Sequence, residues 1–260
     1  MTILLMGILA GGSVAFITSS TQTYHDTAMR NQLSALGRIT VNKIERAINE
    51  AVPNSIRVRA STSNDEQCLE FLPAIASSYY TDAPFVSPGS TTVSVIHLPV
   101  VTGGAYAVIY PMAAGDIYQK SNPGPLATIV SAAAQSITLV SSHQFGSSSP
   151  GKRVYYAAEP ESYCLTGGKL YRYRKLTAAS ANYSIRENQC LPSDADCLPT
   201  EPPDRALIAD SIDNETTPID AFEFQPAGLA NTGLFRLNLN FSNGSEALMI
   251  RHEIQIKNVQ

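Results

Sequence analysis

Four histidines, at positions 25, 97, 143 and 252, are the first residues to test for acid–base or metal chemistry. They are scattered. His252 opens the run HEIQI, which has the first half of the HExxH zinc signature and lacks its second histidine. Strand alternation puts His252 on the face of Ile250 and Ile254, so the expectation is a packed histidine with one hydrogen bond. Serines are abundant, yet no GxSxG elbow lifts one out of a strand as a nucleophile. Neither GxxxxGK(S/T) nor GxGxxG is present to cradle a phosphate. YRYRK (171–175) mixes aromatic and cationic side chains, which can stack on nucleic-acid strands. On a strand its tyrosines share one face and its arginines the other, and the expectation is a half-buried strand. SDADC (193–197) and DSIDNE (210–215) place oxygen ligands close together. Neither has the spaced Asp/Asn/Gly pattern of an EF-hand, so solvated acidic loops are expected and calcium is the one cofactor left in view. Tyr79-Tyr80 and Tyr155-Tyr156 are candidate partner contacts, against an ordinary division between core and surface. No catalytic residue and no metal site is expected.

The four cysteines, Cys68, Cys164, Cys190 and Cys197, form an even set in a chain that opens on an export-like segment. That combination points to disulfides. Cys190 and Cys197 bracket a Pro/Asp loop. The pairing taken is Cys190–Cys197 with Cys68–Cys164, one of three connectivities that four cysteines allow. The alternative is buried free thiols. Zinc is disfavoured, because no CxxC or nearby histidine completes a four-ligand set. The formal charge is −4 and 15% of residues are charged, which argues against a nucleic-acid partner.

The elements that must position these residues divide the chain in two. The opening MTILLMGILAGGSVAFITSSTQTY carries no charge before Asp26. It can be a cleaved secretory signal, a buried helix, or a membrane anchor. A signal needs a basic region in front of its apolar core, and none is present here. An anchor is the reading taken, with Ile3, Leu4, Leu5, Ile8, Leu9, Val14, Phe16 and Ile17 as its apolar side chains. Taken alone the run is slightly short of the ~20 residues a span needs. Residues 25–52 continue without proline, and Leu33, Leu36, Ile39 or Thr40, Ile44, Ile48 and Ala51 or Val52 recur at steps of three and four. That spacing marks one face of a helix, expected to dock onto the rest of the protein. Pro53 closes it. A single helix over residues 1–52 would be roughly 75 Å long. Gly7, Gly11, Gly12 and Gly37 are its weak points, and Gly11-Gly12 offers a bend or a close approach to another helix.

Residues 53–260 read differently. Short runs rich in β-branched and aromatic residues, such as SIRVRA, CLEFL, TTVSVIHL, AYAVIY, SITLV, RVYYAA, KLYRYR and AFEFQ, alternate with Gly, Pro, Ser and Asn. This predicts antiparallel β structure. LFRLNLNF and ALMIRHEIQI flank SNGSE, where Asn243-Gly244 is a strong hairpin turn, and YCLTGGKLYRY is a second hairpin turning at Gly167-Gly168. No internal repeat is seen, and the β-rich part is long enough for one sizeable core.

The segment MGILAGGSVAF, an amphipathic helix, a Pro-Asn break and a β-rich head together resemble the type IV pilins and the related type II secretion pseudopilins. AVPNSIRV (51–58), CLEFLPAIASSYYTDAPF (68–85), YCLTGGKLYRY (163–173) and RHEIQIKNVQ (251–260) narrow the resemblance to minor pilins of mannose-sensitive haemagglutinin (MSHA) pilus biogenesis. The layout is also similar to J-type pseudopilins. The resemblance implies an α+β pilin fold: a long N-terminal helix, its first half (1–24) in the membrane or filament core, its second half (25–52) packed on an antiparallel sheet head (53–260). It implies an inner-membrane anchor in a Gram-negative bacterium, a periplasmic head, and a place at the pilus tip or base after assembly. The implied partners are other minor pilins, the major pilin and the assembly machinery, and the implied role is to prime or cap a pilus. Some pseudopilins of this kind bind calcium in loops. In the family the helix is preceded by a basic leader, Gly and Phe-Thr-Leu-x-Glu. Met1 falls a few residues into that helix, so the expectation is a start assigned at an internal methionine. A tip adhesin is the alternative role, and a membrane-anchored hydrolase a third, for which no motif speaks.

Overall fold

A computed structural model describes residues 2–63, 65–97, 106–177, 183–215, 219–227, 232–244 and 246–256. It opens with one helix, α1 (Thr2–Asn49). The helix stops short of Pro53 because the next residues turn their backbone toward the body. The Val52 amide donates to the Leu72 carbonyl at 2.8 Å, and the Ala74 amide donates to the Glu50 carbonyl at 2.8 Å. The remaining elements, in chain order, are β1 (Arg57–Ala60), β2 (Glu66–Phe71), β3 (Ala74–Asp82), β4 (Ser90–Val95), β5 (Tyr106–Val108), the short α2 (Ala114–Tyr118), β6 (Leu126–Ala133), β7 (Ser136–His143), β8 (Arg153–Ala157), β9 (Glu161–Thr166), β10 (Lys169–Arg174), β11 (Arg205–Ala209), β12 (Phe222–Gln225), β13 (Gly233–Ser242) and β14 (Ala247–Ile256).

These strands form three systems. A five-stranded antiparallel sheet runs β1-β2-β9-β10-β11, and a three-stranded sheet runs β12-β13-β14. The third is a closed barrel of six strands, β3-β4-β7-β6-β5-β8, sealed where β3 pairs with β8. The whole barrel is inserted between two neighbouring strands of the first sheet: β2 ends at Phe71, β9 begins at Glu161, and these two residues are register partners.

The expected pilin fold, one helix on one antiparallel sheet head, is therefore overturned. The body is two sheets and a closed barrel. The reason lies in the composition of residues 83–151, which hold two charged residues, Asp116 and Lys120. Strands there alternate small polar residues outward with Val, Ile and Leu inward, a pattern that buries one face well when a sheet closes on itself. Val93, Ile109, Ile137, Phe145 and Tyr156 fill the barrel.

The second half of α1 does pack on strands, across β13 and β14 and beside β11. Leu33, Ile44 and Ile48 are buried there among Phe71, Tyr163, Phe222, Phe235, Leu237 and Phe241, with Leu36 partly buried at the margin. Of the two residues competing for the middle of the stripe, Thr40 is buried and Ile39 is exposed. The Thr40 hydroxyl donates to the Leu36 carbonyl at 2.8 Å, which removes the cost of burying it. Gly37 is no weak point. A Cβ there would lie 1.9 Å from the Ile250 Cδ1 and 3.3 Å from Phe241, so its absence lets the helix settle onto the sheet. Gly244, at φ +70°, makes the β13–β14 turn beside Asn243, and the two strands then pair over ten residues. A third apolar cluster, with Val52, Leu72, Tyr106, Val108, Tyr118 and Ile185, welds the barrel to the sheets.

Candidate functional site

The four histidines do not converge. His25 is exposed on α1, and His97 is exposed just beyond β4. His143 is buried, with its Nε2 2.9 Å from the Gly124 carbonyl oxygen. His252 faces α1, where its Nε2 lies 3.2 Å from a Glu45 carboxylate oxygen. Each histidine sits in a different element.

One buried polar cluster has the residue types of a site. Arg57 of β1 grips Glu70 of β2 through Nε at 3.0 Å and Nη2 at 2.6 Å. It also donates to the carbonyls of Arg186 and Glu187, and its guanidinium lies 3.5 Å from the centroid of the Tyr118 ring. Ser162 of β9 donates to Glu70 at 3.3 Å and shares a 2.7 Å bond with the Tyr183 hydroxyl. The Tyr118 hydroxyl donates to the Ser55 carbonyl at 2.9 Å. Burial pushes the Glu70 carboxyl above the usual carboxylate range, with Arg57 and Ser162 opposing it. It pushes Tyr118 and Tyr183 well above the ordinary phenol range. Ser162 is fully buried, so no substrate reaches its hydroxyl. This network holds β1, β2, β9, α2 and residues 183–187 in one arrangement, and that is what its chemistry does.

The structure brings Cys68 together with Cys164, directly opposite one another on β2 and β9, and Cys190 with Cys197. The first disulfide therefore ties the two strands between which the barrel is inserted. Asp194 of the SDADC loop is occupied: it accepts from the Leu191 amide at 2.9 Å and from Arg59 at 2.9 Å. In DSIDNE, Asn214 bonds to the Asn238 carbonyl and the Asn240 amide of β13. Among the described residues, no three His, Cys, Asp or Glu side chains gather as a metal-holding group. YRYRK divides as alternation requires. Tyr171 and Tyr173 pack with the Cys68–Cys164 disulfide and Tyr183. Arg172 pairs in register with Tyr163 and Arg174 with Glu161. Tyr80, Tyr155 and Tyr156 are buried, while Tyr79 stands exposed on the barrel wall.

A long exposed surface lies on α1. Residues 11–25 are exposed without interruption, and they include Val14, Phe16 and Ile17 at 63%, 74% and 61% exposure. The side chains of Ile3, Leu4, Leu5, Ile8 and Leu9 lie outside the described residues, although their backbone belongs to α1. Among the described residues, the first hydrogen bonds from α1 to the body come at Met29, whose sulfur lies 3.6 Å from the Asn243 side-chain nitrogen, and Arg30, which forks onto Glu246 at 2.7 Å and 3.1 Å. Residues 2–28 make about 40 Å of helix ahead of these bonds.

Four threonines of this stretch are satisfied within the helix. The hydroxyls of Thr18, Thr21, Thr23 and Thr27 donate to the carbonyls of Val14, Ile17, Ser19 and Thr23, at 2.7 to 2.9 Å. Each hydroxyl is turned back onto the helix four residues earlier, so the surface it offers outward is mainly a methyl group. No helix among the described residues is long and apolar enough to cross a membrane. No protein family, curated protein or solved structure matches the chain.

Besides the Arg57–Glu70–Ser162 network, sequence reasoning missed two parts of this geometry. The threonine back-bonding is one, although Thr at 18, 21, 23 and 27 is its visible signal. The arginine and tyrosine on the barrel wall are the other, because β3 carries no turn or periodicity signal strong enough to place Tyr79 opposite Arg153.

Proposed function

We propose that this chain is a non-catalytic assembly subunit, of the kind the resemblance to minor pilins and pseudopilins implies. The first half of α1 is its insertion and polymerisation element, and the β body carries lateral contacts to other subunits. The observation that supports this reading is the uninterrupted exposure of α1 along residues 11–25, with Val14, Phe16 and Ile17 bare and the threonines turned back onto the helix. Burying Met6, Val14, Phe16 and Ile17 against another apolar surface would contribute on the order of 5 kcal/mol. That surface is a bilayer or a bundle of similar helices. Moving between the two exchanges one apolar environment for another and never exposes the helix to water. Other minor pilins, a major pilin, the inner membrane of a Gram-negative cell and its assembly machinery are the partners in this reading, with the body in the periplasm.

A photo-crosslinking residue at Phe16, in the chain expressed in a piliated Gram-negative host, tests it. Crosslinks to other helix-bearing pilus subunits are the expected result, with few or none from the same probe at Arg38. Equal yields from the two positions would defeat the reading.

A further inference from the structure

The barrel carries a feature that assembly through α1 does not use. Its wall is sparsely charged: across residues 74–157 the charged residues are Asp82, Asp116, Lys120, Lys152 and Arg153. At the edge of that sparsely charged wall Arg153 opens β8, and its register partner is Tyr79 of β3. Together with Ser77, Ser78, Ile96 and His97 they line a cleft of about 360 Å³.

Within the protein Arg153 meets two tyrosines, Tyr155 through a side-chain hydrogen bond and Tyr79, and no carboxylate among the described residues. Its guanidinium lies 5.5 Å from the centroid of the Tyr79 ring and donates to the Tyr79 hydroxyl over a long 3.4 Å. It forms no ion pair among the described residues. Asp82 ends β3 opposite Ser94 and forms none either. An arginine fork presents five donors in one plane, matched to a carboxylate. The rest of the cleft is suited to an organic body. Tyr79 is 48% exposed and Ile96 61% exposed, and the Ile96 amide bonds to the Tyr79 carbonyl, which holds the two side by side. The Ser78 hydroxyl bonds to the His97 carbonyl and so fixes the far rim.

We propose that this cleft binds a carboxylate-bearing ligand, with Arg153 taking the carboxylate and Tyr79 and Ile96 packing its apolar body. One permanent cation suits a monoanion better than a phosphate dianion. The same chemistry is offered by an acidic sugar and by the C-terminus of a peptide. The inference stands apart from the assembly role.

The test is a calorimetric titration of the full chain in neutral detergent micelles. The probes are glucuronate, hippurate and their uncharged counterparts methyl glucoside and hippuramide. At least one carboxylate should bind about tenfold or more tightly than its neutral counterpart, the advantage of a charge-assisted bond. Arg153→Gln should remove that preference without moving the thermal midpoint, and Tyr79→Ala should weaken binding while keeping the preference for charge. Binding of glucuronate alone would identify an acidic sugar as the source, and binding of hippurate alone a peptide terminus. No saturable binding of either carboxylate, equal binding of the neutral probes, or an unchanged Arg153→Gln protein would overturn the proposal.

Discussion

Replacing Ile44 with alanine probes the seam between α1 and the two sheets. Ile44 is 0% exposed, enclosed by side chains of the helix, of the five-stranded sheet and of the three-stranded sheet. The substitution removes three carbons, a transfer loss of about 2.4 kcal/mol at ~0.8 kcal/mol each. A cavity of roughly 80 Å³ adds up to about 2 kcal/mol if the walls do not collapse. The helix propensity of alanine returns about 0.4 kcal/mol. The expected loss is about 3 to 4 kcal/mol. Urea unfolding of the full chain in neutral detergent, followed by the near-ultraviolet circular dichroism of its tyrosines, reads it as a shift in midpoint at constant slope. Ile39→Ala is the control, since Ile39 lies on the same helix and is 53% exposed. It should cost less than about 0.5 kcal/mol. A loss below about 1 kcal/mol at Ile44, or equal losses at both positions, would refute a helix docked through this stripe.

Four further outcomes follow from the same geometry. The Cys68–Cys164 disulfide spans a sequence separation of 96 and Cys190–Cys197 one of 7. Double alanine replacement should therefore cost about 4 kcal/mol for the first and about 2 kcal/mol for the second, and equal losses in urea unfolding would count against it. Labelling of denatured, unreduced protein should find no free thiol, and four labelled thiols would contradict both bonds. Burial raises the carboxyl pKa of both Glu70 and Glu161 above the ordinary value of 4.5. The folded state then binds these protons more tightly than the unfolded state, and their contribution to stability falls as pH rises from 4.5 through the raised values. Glu161→Gln should flatten that decline, and a denaturation midpoint that rises across the window because of Glu161 would reverse the sign argued here. Gly37→Leu should cost about 2 kcal/mol by forcing the helix off Ile250 and Phe241. Gly37→Ala should cost much less, because the nearest contact is a movable terminal methyl and alanine favours the helix; a larger loss for alanine than for leucine would show the contact is misread.

Apart from the Cys68–Cys164 pairing, what could be read from the residues was local. The steps between Leu33, Leu36, Ile44 and Ile48 carry helix periodicity, and the structure buries three of these side chains and half-buries the fourth. Asn243-Gly244 marks its turn because only a few residue types accept the backbone it needs. The barrel was not legible, because closure is a property of pairing between strands far apart in sequence. Nothing in AIASSYYTD announces that β3 pairs with both β4 and β8. The strands β6 and β11 were missed as well: LATIVSAA and RALIA are rich in alanine, which has no strand preference. The Arg57–Glu70–Ser162 network was invisible for a similar reason. Its members lie 13 and 92 residues apart, and each is an ordinary residue on its own strand. Gly37 was misread because helix propensity alone makes a mid-helix glycine a defect, whereas its value depends on Ile250 lying against it.

The central claim is that the projecting half of α1 is held by apolar surroundings. Flotation of the full chain with phospholipid vesicles on a density gradient tests it most directly, comparing the native chain with a Phe16→Lys/Ile17→Lys variant. The native chain should rise with the vesicles, and the variant should stay in the dense fraction with its tyrosine circular dichroism unchanged. A variant that floats as well as the native chain, or a native chain that never floats, would contradict the account.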